Sequence, residues 1–543
     1  MGRSERPNFL LFVTDQHRAD HLGCAGHPLL RTPHIDALAA RGCRFSDFHV
    51  ATPICQPNRA SLMTGRLPSA HGLQLNGREL SHGERTFVQS LSNAGYRTAL
   101  AGKSHLQNIT AVPPFWPLAS ERLVKESKAL FPGRYGQEVA RHWDEDEAFE
   151  LDLPYYGFAQ VALTIGHADQ QSGHWRRWLR RQLPDADRLI GPDNALPTPE
   201  WALTRLRQAW RTRVPEGLYP TNYIAEQSCE MLRGFAAGDA PFFLQCSFPD
   251  PHHPFTPPGR YWDMYKPEDI RVPETMNPGG EVPPHVRWLM DERQGGQARL
   301  DGPRLFAATV REVQEMIALT YGMITNIDDR IGMVMASLRA CGADSNTVVI
   351  FTSDHGDLMG DHGIVLKGPL HYQGLIRVPM IWREPSKGDG HMASRQDLTS
   401  SIDLGAAIIH RAGIAAPNGV QGKPLFSPSG EAVLTGRDAV LIEENQQRAY
   451  LGFERPVKVR TVVTDTHRMS VFAEGDWGEL YDLEADPLEC HNLWDDPASQ
   501  PLARGHGRCR GRPDAPGRVH RRRAGRLGLP LPQEPPHHGR DGS

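Results

Sequence analysis

One short segment combines a cysteine and an arginine at a spacing that suggests a reactive site. Residues 51–66 read ATPICQPNRASLMTGR, which contains Cys55, Pro57 and Arg59 at alternate positions and then a Thr-Gly-Arg run. A bare Cys-x-Pro-x-Arg pattern arises by chance in many proteins, and a free cysteine is usually a small buried apolar residue. Here the pattern extends through Arg66 and begins about 40 residues after a predicted strand that ends in aspartate. Coincidence is therefore a poor explanation of it.

Acidic residues follow two apolar runs that read as buried strands. Asp15 comes after residues 9–14, and the pair Asp354-His355 comes after residues 346–353. An isolated aspartate after a strand is commonly a helix N-cap. The carboxyl ends of parallel strands, however, meet at one edge of a sheet, where α/β folds bind their ligands. Because Asp15 and the pair Asp354-His355 offer mainly oxygen ligands, they predict one hard divalent cation, with Ca²⁺ as first candidate and Mn²⁺ as the alternative.

Further cations and histidines recur in short motifs. Lys103 and His105 lie in GKSH, His252 and His253 in DPHHPF, and Lys367 in LKGPLHYQGLIRVP. Each of them alone reads best as a solvated surface residue. Their order along the chain, together with the cysteine motif, favours a common site.

In these segments the chain resembles the sulfatase family, the formylglycine-dependent group of the alkaline phosphatase superfamily. The resemblance rests on the Cys-x-Pro-x-Arg segment, and extends to TPHIDALAARG (32–42), NIDDRIG (326–332) and GELYDLEADPLECHNLWDD (478–496). It covers nearly all of residues 7–497.

Two positions depart from the common sulfatase pattern. Asp15-Gln16 stands where many sulfatases have Asp-Asp, and Asp354-His355 stands where many have Asp-Asn. Both variants resemble the phosphonate monoester hydrolase and choline-sulfatase branches.

The resemblance implies a nucleophile that cysteine itself does not provide. In the family, a separate formylglycine-generating enzyme oxidises the cysteine to Cα-formylglycine, whose hydrate is a geminal diol. One oxygen attacks the ester, and deprotonation of the other expels sulfate, so water need not hydrolyse the covalent ester. A metal and nearby cations activate such a nucleophile.

The resemblance also implies a role for each motif residue. The catalytic set is Cys55, Arg59, Lys103, His105, His252 and Lys367, and the cation ligands are Asp15, Gln16, Cys55, Asp354 and His355. Arg59 would hold the hydrate, Lys103 would contact the leaving sulfate, and His105 is the candidate base. His252, preferred to His253 on motif spacing, would protonate the leaving oxygen.

We therefore expect a sulfuric ester hydrolase that acts on a small-molecule sulfate monoester. Two alternatives share these residues. One is a phosphonate monoester or phosphodiester hydrolase with the same nucleophile. The other is a non-catalytic sulfatase-like protein in which Cys55 stays unmodified, because a family-like fold does not guarantee activity. We expect the substrate pocket to be built chiefly by the insertions at residues 106–240 and 256–305, which carry no motif that identifies the natural substrate.

Alternating apolar strands and helices must position these residues. The pattern predicts an α/β fold with a large, alkaline-phosphatase-like mixed sheet, mostly parallel and sandwiched by helices. The predicted strands are 9–14, 96–101, 241–248 and 346–353, and the predicted helices are 33–41, 86–93 and 310–340. Residues 457–464 and 468–472 alternate around a turn and predict a small C-terminal antiparallel unit.

The segment 110–220 is rich in Trp, Arg and Pro, and we expect it to form insertions over the sheet edge. Within it, Trp175 to Arg181 would line an anionic or aromatic site or form an amphipathic helix. The ordinary helical spacing favours the helix.

Composition sets the domain limits. We expect a catalytic domain at 1–430, a small antiparallel subdomain at 431–500 and a disordered tail at 501–543. The tail has ten arginines, three acidic residues and no Ile, Phe, Tyr, Trp or Met, so it cannot bury enough apolar surface to order itself. It is either a basic tail for an acidic surface or the product of a frameshift in a GC-rich gene.

Bulk properties exclude some classes of function. The chain has 60 basic and 64 acidic residues, which does not indicate nucleic acid as a partner. No run is long enough for a membrane span, and no targeting segment is visible, so we expect a soluble cytoplasmic protein. The eight cysteines form no CxxC pair, and we expect them to be reduced thiols.

Overall fold

The computed structural model describes residues 6–110, 130–199, 201–277, 282–385, 394–447, 449, 451–473, 475 and 477–499. The tail predicted to be disordered, with Cys509, lies outside these residues. The other seven cysteines are free thiols.

Eight strands form one mixed sheet, of which the five central strands are parallel. The strands at both sides run antiparallel to their neighbours. In sheet order the strands, numbered along the chain, are β2 (Cys43–Phe45), β11 (Met380–Arg383), β9 (Thr347–Ser353), β1 (Asn8–Thr14), β7 (Phe242–Ser247), β4 (Arg97–Gly102), β5 (Gln160–Ile165) and β6 (Ser172–Gly173). This confirms the predicted large, mostly parallel sheet and its four predicted strands.

Helices connect the parallel strands, as parallel pairing requires. Those of the described residues are α1 (Pro33–Ala40), α2 (Cys55–Thr64), α3 (Pro68–His71), α4 (Phe87–Asn93), α5 (Ala140–Glu145), α6 (His174–Gln182), α7 (Ala202–Arg205), α8 (Pro220–Ala236), α9 (Pro284–Gln294), α10 (Val310–Ala340), α11 (Gln373–Ile376) and α12 (Ile402–Arg411). The helices predicted at 33–41, 86–93 and 310–340 correspond to α1, α4 and α10.

Both faces of the sheet are covered, which explains why the central strands are continuously apolar. Phe9 and Leu11 of β1 point into the core that contains α2, α4 and α12. Leu10 and Phe12 point into the opposite core with α1, α8 and α10. Alternation of side chains along a strand produces these two separate cores.

The capping of α10 explains its well-defined start. The hydroxyl of Thr309 accepts a hydrogen bond from the backbone N–H of Glu312, and the Glu312 carboxylate accepts one from the N–H of Thr309. This reciprocal capping box satisfies two donors that the first turn leaves unpaired.

Residues 110–220 are more than insertions over the sheet edge, and that prediction was wrong for part of the segment. β5 pairs in parallel with β4, and β6 pairs with β5, so the segment extends the sheet itself. The predicted amphipathic helix is α6. Its Trp175 and Leu179 are buried, while Arg176 and Arg180 pair with the exposed Asp187.

A separate four-stranded antiparallel sheet follows near the carboxyl end. It contains β13 (Val440–Asn445), β14 (Lys458–Val463), β15 (His467–Phe472) and β16 (Gly478–Asp482), in that order. The predicted small antiparallel unit is thus confirmed, with two strands beyond the predicted hairpin. Two short pairs, β3 (Phe48–His49) with β12 (Thr399–Ser400) and β8 (Phe306–Ala307) with β10 (Ile364–Val365), complete the strands. Among the described residues, no helix is long and apolar enough to cross a membrane.

Candidate active site

The predicted site residues meet at the carboxyl edge of the parallel strands. Asp15, Lys103 and Asp354 directly follow β1, β4 and β9, which are close together in the sheet. The backbone N–H of Lys103 donates to the carbonyl of Ser247 at 2.9 Å, and that of Asp354 donates to Thr14 at 3.1 Å. Sheet pairing thus continues into the site and fixes where each side chain begins.

The cysteine motif forms the start of α2, and its spacing follows from helix geometry. Pro57 lies in the first turn, where a missing N–H removes no helical hydrogen bond. Cys55 and Arg59 are four residues apart, so they share one face of the helix. Gly65 ends the helix with φ 66°, a left-handed conformation that glycine adopts without strain.

Arg59 contacts the carboxylates of both Asp15 and Asp354. Its Nε donates to Asp354 Oδ2 at 2.7 Å, and its Nη2 lies 3.4 Å from Asp15 Oδ2. Its Nη1 donates to Ser247 Oγ at 2.9 Å and to the Lys103 carbonyl at 3.2 Å. All three side chains of the ion pairs are at most 2 % exposed. The guanidinium therefore holds the two carboxylates in place.

Four side chains present donor atoms suited to a divalent cation. One ligand atom from each of Asp15, Asp354 and His355 lies within 4.8 Å of the others. Asp15 Oδ1 and Gln16 Oε1 are buried and have no hydrogen-bond partner. Buried oxygens are rarely left without a partner, so these two atoms fit a cation.

Neighbouring groups orient the Gln16 amide and the His355 imidazole of that set. His355 Nδ1 lies 2.8 Å from the carbonyl oxygen of Gly356, which fits an N–H donor there and leaves Nε2 facing the carboxylates. Such an orienting contact is usual for a metal-ligating histidine. The Gln16 amide nitrogen donates to Asp357 and lies 3.3 Å from His253 Nδ1, so its oxygen is turned into the site.

A second group of potential metal ligands already has the Lys103 ammonium beside it. Asp15, His167 and His252 also present ligand atoms within 4.8 Å of one another. The Lys103 ammonium, however, lies 2.5 Å from Asp15 Oδ2 and 2.7 Å from His167 Nε2. Burial tends to raise the pKa of Asp15, but Lys103, aided by the histidines, keeps it well below its ordinary value. The ammonium thus neutralises the carboxylate here.

Lys367 connects two histidines across the site. Its Nζ lies 2.9 Å from His252 Nε2 and 2.8 Å from His355 Nε2. The His252 ring is stacked between His167, at a centroid distance of 3.7 Å, and His253, at 4.2 Å. His252 therefore lies against the Lys367 ammonium, while His253 contacts the Gln16 amide.

The Cys55 thiol is buried among these cations. Burial opposes its ionisation, but Lys367, His105 and Lys103 outweigh burial and hold the pKa of Cys55 well below its ordinary value. Asn76 lies beside the thiol, with Nδ2 3.6 Å from Sγ, and its Oδ1 accepts from the N–H of Gln56. A negatively charged group at this position would thus be stabilised.

The GKSH segment bends tightly to present Lys103 and His105. Gly102 has φ 109°, and a Cβ there would lie 1.9 Å from the carbonyl oxygen of Ser247, so the close approach requires glycine. His105 has φ 58°. The buried Glu138 accepts hydrogen bonds from its N–H at 2.7 Å and from the N–H of Leu106 at 2.9 Å, which fixes this uncommon backbone conformation.

The structure thus brings every predicted site residue to one place, and it adds members that sequence reasoning missed. His167 follows β5 at the same edge, and Asn76 lies on the loop beside the cysteine. His167 had a usable signal, because it follows an apolar run, QVALTI, as Asp15 does. Asn76 had none, because its contact with Cys55 depends on how that loop folds back.

Comparisons with known proteins show the family of this chain. A model of the sulfatase family matches residues 7–414, and a model of the N-sulphoglucosamine sulphohydrolase C-terminal region matches residues 360–506. An arylsulfatase of Clostridium perfringens is 28% identical over 493 residues, which cover 90% of this chain and 90% of that protein. A choline-sulfatase of Rhizobium meliloti is 25% identical over 503 residues, covering 91% of this chain and 83% of that protein.

A solved structure with the same architecture is the phosphonate monoester hydrolase of Agrobacterium radiobacter. It is 25% identical with a TM-score of 0.70, and the match covers 93% of this chain and 94% of that one. The family model extends over most of the sequence, from β1 to beyond α12. This chain belongs to the sulfatase family, within the alkaline phosphatase superfamily.

Proposed function

We propose that this chain hydrolyses a small-molecule sulfate monoester, using one divalent cation and the Cα-formylglycine derived from Cys55. The observation that carries the proposal is the position of the Cys55 thiol. It lies among Lys103, His105 and Lys367, whose charges lower its pKa, and it helps to raise the pKa of His355, a candidate ligand of the cation. A nucleophile and an anionic ester would meet the same set of cations there.

The cation would be held by Asp15, Gln16, Asp354 and His355, with the oxidised Cys55 side chain as a further ligand. When bound, it would polarise the ester and stabilise a negatively charged nucleophile. Ca²⁺ prefers six to eight oxygen ligands, whereas an imidazole nitrogen suits Mn²⁺ and other transition metals better. The inward-facing nitrogen of His355 therefore leads us to favour Mn²⁺ over Ca²⁺.

The side chains of the protein would divide the remaining work. Lys103 and Lys367 would bind the anionic group, and His105 would take a proton from the nucleophile. His252 accepts a hydrogen bond from Lys367 at Nε2, so it would pass a proton from the Lys367 ammonium to the leaving oxygen. Arg59 would act by neutralising and orienting the two carboxylates, because its donors are bound to them and to Ser247 and the Lys103 carbonyl. We further propose that residues 1–430 form the catalytic unit and residues 431–500 a subdomain packed on it.

Sulfate release after maturation tests this proposal. The protein should be produced together with a formylglycine-generating enzyme and loaded with Mn²⁺ or Ca²⁺. Sulfate release from an aryl sulfate and from a panel of sulfated metabolites should be measured against Cys55→Ala made in the same way. We expect release by the wild type only. Equal rates in both proteins, or none with any substrate, would contradict the proposal.

A phosphonate monoester hydrolase is the second candidate. It is favoured by the Gln16 and His355 variants at the cation and by the structural similarity to the Agrobacterium radiobacter enzyme. Sulfate and phosphonate monoesters both place a single negative charge at the reacting group, and the same cations suit both. Rates on an aryl sulfate and on an aryl phosphonate monoester, measured with one preparation, would separate the two.

A further inference from the structure

His167 lies at the edge of the site without a role in the scheme above. It follows β5, and the pairing of Gly102 with Leu163 brings the end of β5 beside Lys103. Its side chain is 20 % exposed, whereas those of Lys103 and Asp15 are 2 % and 0 % exposed. His167 is therefore the member of this group closest to the solvent from which a substrate enters.

The contacts of Lys103 show what His167 provides. A lysine ammonium has three N–H donors. One is directed at Asp15 Oδ2 at 2.5 Å and a second at His167 Nε2 at 2.7 Å. Among the described residues no further acceptor is bound, so one donor remains for the anionic group of a substrate. Without His167, the flexible lysine would have one anchor instead of two, and its free donor would lose direction.

The ring of His167 also packs in parallel against His252. Their centroids are 3.7 Å apart, with an interplanar angle of 11°. The His167 imidazole thus contacts both Lys103, which would bind the transferred group, and His252, which would protonate the leaving oxygen. The two contacts can be separated experimentally, because glutamine retains an acceptor without a ring and phenylalanine retains a ring without an acceptor.

We propose that His167 is a positioning residue that fixes the Lys103 ammonium for binding of the sulfuryl or phosphoryl group. This rests on the proposed function, because it assumes that Lys103 binds the anionic group. It acts through its Nε2 acceptor, and the stacking on His252 is secondary. The ammonium lies between Asp15 and His167, so we expect no second metal ion there.

Binding of inorganic sulfate tests the inference without requiring turnover. Calorimetry on the metal-loaded protein should compare wild type, His167→Gln, His167→Phe and His167→Ala, after thermal denaturation has shown that each is folded. We expect Phe and Ala to weaken sulfate binding about tenfold, the effect of one lost charge-assisted hydrogen bond. Gln should remain within about threefold of wild type, because it keeps the acceptor.

A double-mutant cycle supplies the control that a purely structural effect would not pass. In a Lys103→Met background, which removes the ammonium but keeps an unbranched side chain, His167→Phe should have no further effect on sulfate binding. An equal loss in both backgrounds, or wild-type affinity in His167→Phe, would overturn the inference. So would a wild type that does not bind sulfate, or two metal ions per chain with one lost in His167→Phe.

Ester turnover by the same variants tests the proposed function separately from the role of His167. Sulfate binding that follows the expected pattern without any turnover would contradict the proposed function and leave the role of His167 standing. Turnover by the wild type with unchanged kcat and KM in His167→Phe would contradict the role of His167 alone.

Discussion

Cation binding should release a proton from His355, and this can be counted. Burial and the neighbouring Lys367 lower the pKa of His355. Asp354, with Asp15 and Cys55, outweighs them and raises it to about 9. A metal-ligating imidazole must be neutral. At pH 7 the ion therefore has to displace a proton that the metal-free protein holds on His355.

The pKa of His355 determines how strongly, and in which direction, the metal affinity depends on pH. At pH 7 the imidazole lies about two pH units below its pKa, so the apparent affinity should be about a hundredfold below its high-pH limit, or about 2.7 kcal/mol. Because the proton competes with the metal, the affinity should rise with pH, by up to about tenfold per unit, and level off above about pH 9.

Calorimetric titration with Mn²⁺ measures this directly. Experiments at pH 6.5, 7.0 and 7.5, each in two buffers of different ionisation enthalpy, give the number of protons released. We expect about one for the wild type and for His491→Asn, a matched change at a histidine whose side chain is 79 % exposed. His355→Asn should release none and should shift the preference from Mn²⁺ towards Ca²⁺. Absence of proton release by the wild type at pH 7 would refute the reasoning.

Three further predictions concern the divalent cation, the ion pairs of Arg59 and the C-terminal tail. Asp354→Ala should lower metal affinity by orders of magnitude and abolish turnover while leaving most of the fold intact; full activity after exhaustive chelation would exclude the cation assignment. Arg59→Met should lower the free energy of unfolding by about 3–5 kcal/mol, because the buried carboxylate of Asp354 loses its guanidinium partner and Asp15 keeps only Lys103, whereas Arg141→Met, at an exposed pair, should change it by less than about 0.5 kcal/mol; equal denaturation midpoints would contradict this. Truncation after Ser499 should leave turnover unchanged, since the tail lacks the apolar residues needed to dock and its charges are screened beyond about 8 Å; a large loss of activity would show that the tail completes the site.

The parts of the fold that were predictable are those with strong local signals. The central strands are covered on both faces, so β1 and β9 are unbroken apolar runs. The long helix α10 has a capping box and a regular apolar face. The strand β5 was missed although QVALTI is also apolar, because the surrounding Trp, Arg and Pro residues obscured it. Its membership of the sheet depends on pairing with β4, which no local pattern encodes.

The site was predictable to the extent that its residues follow strand ends or lie in family motifs. Asp15 and Lys103 are examples, because the end of a parallel strand determines their place. The role of Glu138 was not predictable, since it holds the backbone of His105 from a segment 33 positions away in sequence. The preference for His252 over His253 rested on spacing, and the structure places His252 against Lys367 and His253 against Gln16.

The mass of the Cys55 peptide, measured on a preparation with demonstrated sulfate release, tests the central claim most directly. We expect a peptide about 18 Da lighter than its cysteine form, as oxidation of the thiol to an aldehyde requires. We also expect that Cys55→Ser, which lacks the second hydroxyl, at best accumulates a sulfated enzyme without turnover. An active preparation in which the peptide carries only unmodified Cys55 would contradict the account.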